Sequence, residues 1–108
     1  MKLATEVFGD VVVVHTPEEL VQDHAADAAE FLTELQHSKI VVEMDGTDSI
    51  DSVGLASLLD VQDELQLSGG DLKIVTTVAN TRKIFEITRL DQVIEVFADV
   101  VDAITSFK

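Results

Sequence analysis

Ile40-Val41-Val42-Glu43-Met44-Asp45-Gly46-Thr47-Asp48-Ser49-Ile50-Asp51-Ser52-Val53-Gly54-Leu55-Ala56-Ser57-Leu58-Leu59 holds a strand, a polar loop and the start of a helix in one pass. Residues 40–44 form a short apolar strand. Residues 45–51 are polar, with Asp45, Asp48 and Asp51 at every third position. From Val53 to Leu67 the pattern turns helical. Leu55, Leu58, Leu59 and Leu65 make an apolar face, while Asp60, Asp63 and Glu64 take the wet side. Ser68-Gly69-Gly70 stops this helix, because glycine accepts the left-handed conformation that closes one.

Working outward, the alternation recurs. Upstream, residues 3–8 and 10–15 read as strands around Gly9-Asp10, a turn that makes them an antiparallel hairpin. Val11 to Val14 is a continuous β-branched run, the mark of a strand covered on both faces. Thr16-Pro17-Glu18-Glu19 reads as a helix start with Thr16 and Glu19 as a capping box, although a later start near Asp23 is also open. Ala28, Phe31, Leu32 and Leu35 follow at helical spacing. Downstream come a strand over 72–76, a helix over 80–87 with Asn80 as its cap, and a strand over 93–97. A last helix over 99–107 turns Val100, Val101, Ile104 and Phe107 inward. The order β-β-α-β-α-β-α-β-α predicts an α/β fold: a mixed, mostly parallel sheet with an N-terminal hairpin and packed helices.

Composition narrows the function. At 108 residues the chain has the size of one domain, 1–108. Its 46% hydrophobic content with a single proline argues for a folded core. The absence of cysteine excludes disulfides and thiolate metal sites and fits a cytoplasmic location. Glu6 interrupts any signal-peptide core, and no apolar run reaches the roughly 20 residues of a spanning helix, so a soluble protein is expected. The formal charge of −14, from 21 acidic and seven basic residues, disfavours nucleic acid and anionic membrane surfaces. A basic protein partner stays open beside the simpler reading that the charge serves solubility.

The polar residues give little sign of catalysis. His15, His24 and His37 lack a zinc-binding spacing. Asp45, Asp48 and Asp51 miss the glycine and the bidentate glutamate of a calcium loop, which leaves them as solvated loop acids. The magnesium-binding acid pair of a receiver domain is missing after Val11–Val14, where His15-Thr16-Pro17 stands instead. No Gly-x-Ser-x-Gly surrounds Ser52, Ser57 or Ser68, and no glycine-rich loop precedes a lysine. Ser52 itself reads first as the N-cap of the second helix. The same position tolerates a phosphate, since free N–H groups and the helix dipole face it. Gly54, with no side chain, lets another backbone come close.

Residues 40–44, Ile50-Asp51-Ser52-Val53-Gly54-Leu55 and Leu58-Leu59 together resemble the core of the STAS domain family. Within it, they are most similar to the bacterial anti-sigma factor antagonists. Gly69-Gly70-x-Leu72-x-Ile74-Val75 and Arg82 to Asp91 continue the match, which covers nearly the whole chain. The chain departs from the family pattern in four places. Val53 stands where a second Ser or Thr is frequent, and Glu18-Glu19-Leu20-Val21 replaces Gly-Glu-Leu-Asp. Val78-Ala79-Asn80 lies where Ser-Pro is usual, and Arg89 replaces a usual Gly.

The resemblance implies a protein that is a substrate and not an enzyme. Unphosphorylated, it would bind an anti-sigma factor that is also a serine kinase, and so free a sigma factor. The kinase would phosphorylate Ser52, and a serine phosphatase would restore the binding form. Glu19, Asp48, Asp51, Ser52, Val53 and Gly54 are the implied partner-binding residues, with no cofactor. The alternatives are a non-switching STAS scaffold or accessory subunit of a transport or signalling assembly and, more distantly, acyl or phosphoryl transfer at Ser52.

Overall fold

Four consecutive valines, Val11 to Val14, are all buried, and the sheet is built around them. The computed structural model describes residues 2–107. The chain forms β1 (Thr5–Phe8), β2 (Val11–His15), β3 (Glu19–Leu20), α1 (Gln22–Glu34), β4 (Lys39–Glu43), β5 (Ser49–Ile50), α2 (Ser52–Leu67) and β6 (Asp71–Val75). These are followed by α3 (Ala79–Ile87), a 3-10 turn (Leu90–Gln92), β7 (Val96–Phe97) and α4 (Val100–Thr105). The main sheet runs β1-β2-β4-β6-β7. Its β1–β2 hairpin is antiparallel, turned at Gly9 with φ +64°, and every other pairing in it is parallel. The result is a mixed, mostly parallel sheet with four helices.

Strand alternation divides the buried residues between two layers. Val12, Val14, Ile40, Val42, Leu72 and Ile74 face α1 and α2, where Ala28, Leu32, Leu58, Val61 and Leu65 meet them. Val11, Val13, Val41 and Val75 face the other way, toward Ala103 of α4. This second layer also holds Lys73, only 4% exposed. Its ammonium lies 4.4 Å from the centre of the Phe107 ring, 3.3 Å from Glu95, and donates to the Ser106 hydroxyl. A buried cation is tolerable only when so paired.

Several expected boundaries shift for local reasons. No capping box forms at Thr16, and α1 begins at Gln22, close to the later start. Residues 19–20 are instead extended and pair in parallel with residues 49–50, while the Thr16 hydroxyl turns to the Thr47 hydroxyl. Asn80 is not a cap: α3 opens one residue earlier, with Val78 at the cap position and no side-chain cap bond. The strand expected over 93–97 is confined to Val96–Phe97, because the 3-10 turn occupies its approach. Arg89 enters that turn at φ 62°, where a side chain costs about 1–2 kcal/mol and glycine nothing. Val101 is 65% exposed, not inward. Over so short a helix the inner stripe is Val100, Ala103, Ile104 and Phe107, and position 101 turns away.

Gln62, on α2, is 1% exposed, although the helical pattern marks it as an ordinary polar position. Its carboxamide accepts from Leu72 N at 2.8 Å and donates to Leu72 O at 3.2 Å and to Asp71 Oδ1 at 2.6 Å. The reason lies in β7, which pairs β6 only at Ile74 and Val75. Leu72 would otherwise leave a buried N–H and C=O unmatched on that side. One side chain completes the rung. Gln62→Leu should therefore lower unfolding free energy by about 2–3 kcal/mol in urea titrations, with faster amide exchange at Leu72.

At the carboxyl end of β2, His15 bridges two acids. Its Nδ1 lies 2.7 Å from Glu43 Oε2 and its Nε2 3.0 Å from Glu6 Oε1. Bonding to Glu6, then to Glu43, raises its pKa above the ordinary 6.5 against a smaller opposing effect of burial. A raised folded-state pKa makes the protonated form stabilising. That contribution is fully present below the unfolded value and disappears as pH rises through the folded one. Stability should thus decline in the parent protein as pH rises from about 6.5, the unfolded value, through the raised folded-state one, and His15→Gln should flatten this part of the profile in thermal melts.

Candidate functional site

The stretch around Ser52 is held from three directions. From below, Thr47 pins the loop: it is buried, its hydroxyl donates to Pro17 O at 2.6 Å, and its N–H donates to Met44 O at 3.0 Å. On the β6 side, Asp45 accepts from the N–H of Thr77 at 2.6 Å and from its hydroxyl at 3.2 Å. From the front, β3 runs beside β5, with Glu19 opposite Ser49 and Leu20 opposite Ile50. Glu18 O accepts from the N–H groups of Asp48 and Ser49, at 2.8 and 3.3 Å. The loop is polar in sequence yet tied down along its length.

The helix cap is Asp51, not Ser52. Asp51 has extended backbone angles, φ −112° and ψ −175°, and its Oδ1 accepts from Gly54 N at 2.9 Å. Its other oxygen accepts from Gln22 N at 3.3 Å, joining the start of α1 to the start of α2. Aspartate caps as well as serine does, and here only the aspartate stands one residue outside the helix. Ser52 becomes the first helical residue and is exposed. The amides of Ser52 and Val53 have no carbonyl within the helix to bond, so the dipole's positive end opens beside the hydroxyl.

Gly54 is buried under β3. A Cβ there would overlap the Leu20 carbonyl oxygen and touch Ile50 Cγ1 at 2.9 Å. The close backbone approach expected from the sequence is therefore with the chain's own β3. Gly54 is inaccessible to a partner side chain until β3 moves, whereas Val53 beside it is 44% exposed.

The structure brings Glu19, Asp48, Asp51, Ser52 and Val53 to one end of the fold, on the β3–β5 pair and the first turn of α2. The three loop aspartates do not converge. Asp45 serves Thr77, Asp51 serves the two helix starts, and Asp48 is exposed; two of them are hydrogen-bonding anchors, not simply solvated acids. Among the described residues, no three His, Asp or Glu side chains are arranged to hold a metal ion. Thr16, Thr47 and Thr77 help build this site without any sequence signal for it. Threonines in loops are too common to signal by type, and their partners lie 30 or more residues away.

Gly54→Ala tests the arrangement. Alanine favours a helix interior by about 0.8–1.0 kcal/mol, yet the overlap with Leu20 should cost about 1–3 kcal/mol and dominate. The expected result is a lower melting temperature, with faster amide exchange at Asp48 and Ser49 as β3 lifts away from β5.

Comparison with known proteins bears on the fold that carries this site. A candidate anti-sigma factor antagonist from Thermotoga maritima superposes with a TM-score of 0.85 at 19% identity, over 96% of this chain and 92% of that one. An anti-sigma factor antagonist from Mycobacterium paratuberculosis gives 0.83 at 21% identity, over 97% and 92%. The Bacillus cell fate determinant SpoIIAA in its phosphorylated form gives 0.72 at 19% identity, over 99% and 100%. At these identities the likeness is one of fold. The comparison with curated proteins gave no match. Among family models, the one described as the STAS domain matches residues 2–103. With a parallel sheet leading into a capped α2 at Asp51-Ser52-Val53-Gly54, and a family match across that whole span, this chain belongs to the STAS domain family.

Proposed function

We propose that the chain is a single STAS domain, residues 1–108, acting as an anti-sigma factor antagonist switched by phosphorylation of Ser52. One observation carries this reading: Ser52 is an exposed hydroxyl fixed at the first turn of α2 by a cap that it does not itself supply. A serine serving as cap would spend its oxygen on the backbone. Because Asp51 takes that duty, Ser52 is free to accept a phosphoryl group without uncapping the helix. SpoIIAA, which has this fold, has been solved in phosphorylated and unphosphorylated forms.

The chemistry of the switch follows from charge. A phosphoserine adds about −1.5 to −2 charges. Glu19, Asp48 and Asp51 already make this end acidic, so a partner docked over Ser52 would meet repulsion and desolvation together. A binding loss of only about 1.4 kcal/mol is tenfold in affinity. In this reading the partners are an anti-sigma factor that is also a serine kinase, and a serine phosphatase. The protein contributes no catalytic group, binds no nucleic acid and inserts into no membrane. It works in the cytoplasm.

No helix of the described residues is long and apolar enough to cross a membrane, which is compatible with this setting. Val53 in place of a second hydroxyl makes Ser52 the one acceptor at the junction. Incubation with a kinase-type anti-sigma factor and ATP should place one phosphate on Ser52 by mass spectrometry. Ser52→Ala should bind that factor and Ser52→Asp should not. Equal binding by both variants would instead identify a non-switching scaffold, and a covalent intermediate on Ser52 without kinase would identify an enzyme.

A further inference from the structure

Beside the Ser52 junction lies an open groove of about 660 Å³ between the 47–50 loop and the first turns of α3. Asp48 and Ser49 form one wall, Asn80 and Lys83 the other, and Ile50 and Ile84 supply apolar surface. Ile50 stands two residues before Ser52, so the groove is continuous with the proposed acceptor site. Along α3 the stripe Asn80, Lys83, Ile84, Ile87 has the spacing of a helix face, and it ends in Ile87, 72% exposed. Val53, on the α2 side, adds another exposed aliphatic.

The charge of the groove is unusual for this molecule. Only seven of the 108 residues are Lys or Arg. Of those described, Lys39 pairs with Asp10, Lys73 is buried with Glu95, and Arg82 donates to Thr76 O. Lys2, Lys83 and Arg89 are exposed and form no ion pair among the described residues, and of these three it is Lys83 that lines the groove. It thus places a cation in the groove with the half-buried Ile50 and Ile84, across from Asp48 and Ser49, on a chain of net charge −14.

We propose that this groove and the α3 stripe are the second half of the docking surface, and that their occupant is the anti-sigma kinase, presenting an acidic residue flanked by an apolar one. The inference rests on the reading of Ser52 as that kinase's target. On so acidic a surface a partner carboxylate has few places to land, and Lys83 supplies the one that lines this groove and thereby orients the complex. Ile84 and Ile87 accept the apolar neighbour, as a helix-face anchor does. A phosphate on Ser52 would add negative charge at the neighbouring first turn of α2, so a carboxylate held by Lys83 would be repelled more in the phosphorylated state than in the unphosphorylated one.

The test measures binding of the purified kinase-type anti-sigma factor from the same genome to the full chain and to Lys83→Glu, Ile87→Asp and Asp63→Lys. All three positions are exposed, and thermal melts of each variant verify folding. Lys83→Glu and Ile87→Asp should each weaken binding about tenfold or more, whereas Asp63→Lys, on the exposed face of α2, should not. Parent-like binding by folded Lys83→Glu and Ile87→Asp would overturn the groove as a contact while leaving the Ser52 reading intact. Failure of the parent chain itself to bind the kinase would overturn both.

Discussion

The close approach of the Leu20 carbonyl to the bare α-carbon of Gly54 is the constraint on which the end of the fold carrying Ser52 depends. It lets an extended segment cross over the first turn of a helix at backbone distance. Any side chain at position 54 would push the two apart. With β3 seated, Glu18 O can receive the amides of Asp48 and Ser49, and β5 gains its partner strand. With β5 in place, Asp51 stands where its carboxylate reaches both Gly54 N and Gln22 N. Ser52 is positioned last, as the residue that follows. Its exposure is a by-product of everything beside it being used.

Side chains substitute for backbone at several points of this small fold. Asp51 caps α2 and also holds the start of α1, Asp45 reaches across to Thr77, and Thr47 ties the loop to Pro17. These bonds explain how a polar loop between β4 and α2 stays ordered without a core of its own. They also explain why the acids there are numerous but not interchangeable. Only Asp48 among the three loop aspartates has no such assignment and is left to shape the surface charge.

Much of the architecture was legible because strand and helix periods are short-range signals. The four-valine run, the 40–44 strand, the α2 stripe and the Ser68-Gly69-Gly70 stop each declare themselves within a few residues. The position usually held by glycine at Arg89 also proved to be a left-handed one. What escaped the sequence was long-range. Thr16 and Glu19 satisfy the local rule for a capping box, but pairing with residues 49–50 takes that segment into a strand. Ser52 and Asp51 are both good caps, and only the entry angle set by β3 chose between them. Gln62 looks like any polar helix residue until β7 turns out to be two residues long. Val101 was misplaced because an apolar residue one step off a stripe resembles a member of it.

Gln62 has a consequence beyond stability. Where β7 stops, the free edge of β6 would be a template for another chain, since open strand edges recruit extended peptides and seed aggregation. A carboxamide that already occupies both the donor and the acceptor of Leu72 denies that template its rung. A newcomer would first have to evict a buried side chain from α2. The helix therefore guards the sheet against unwanted strand addition, and β7 can stay short without the edge beside it becoming adhesive.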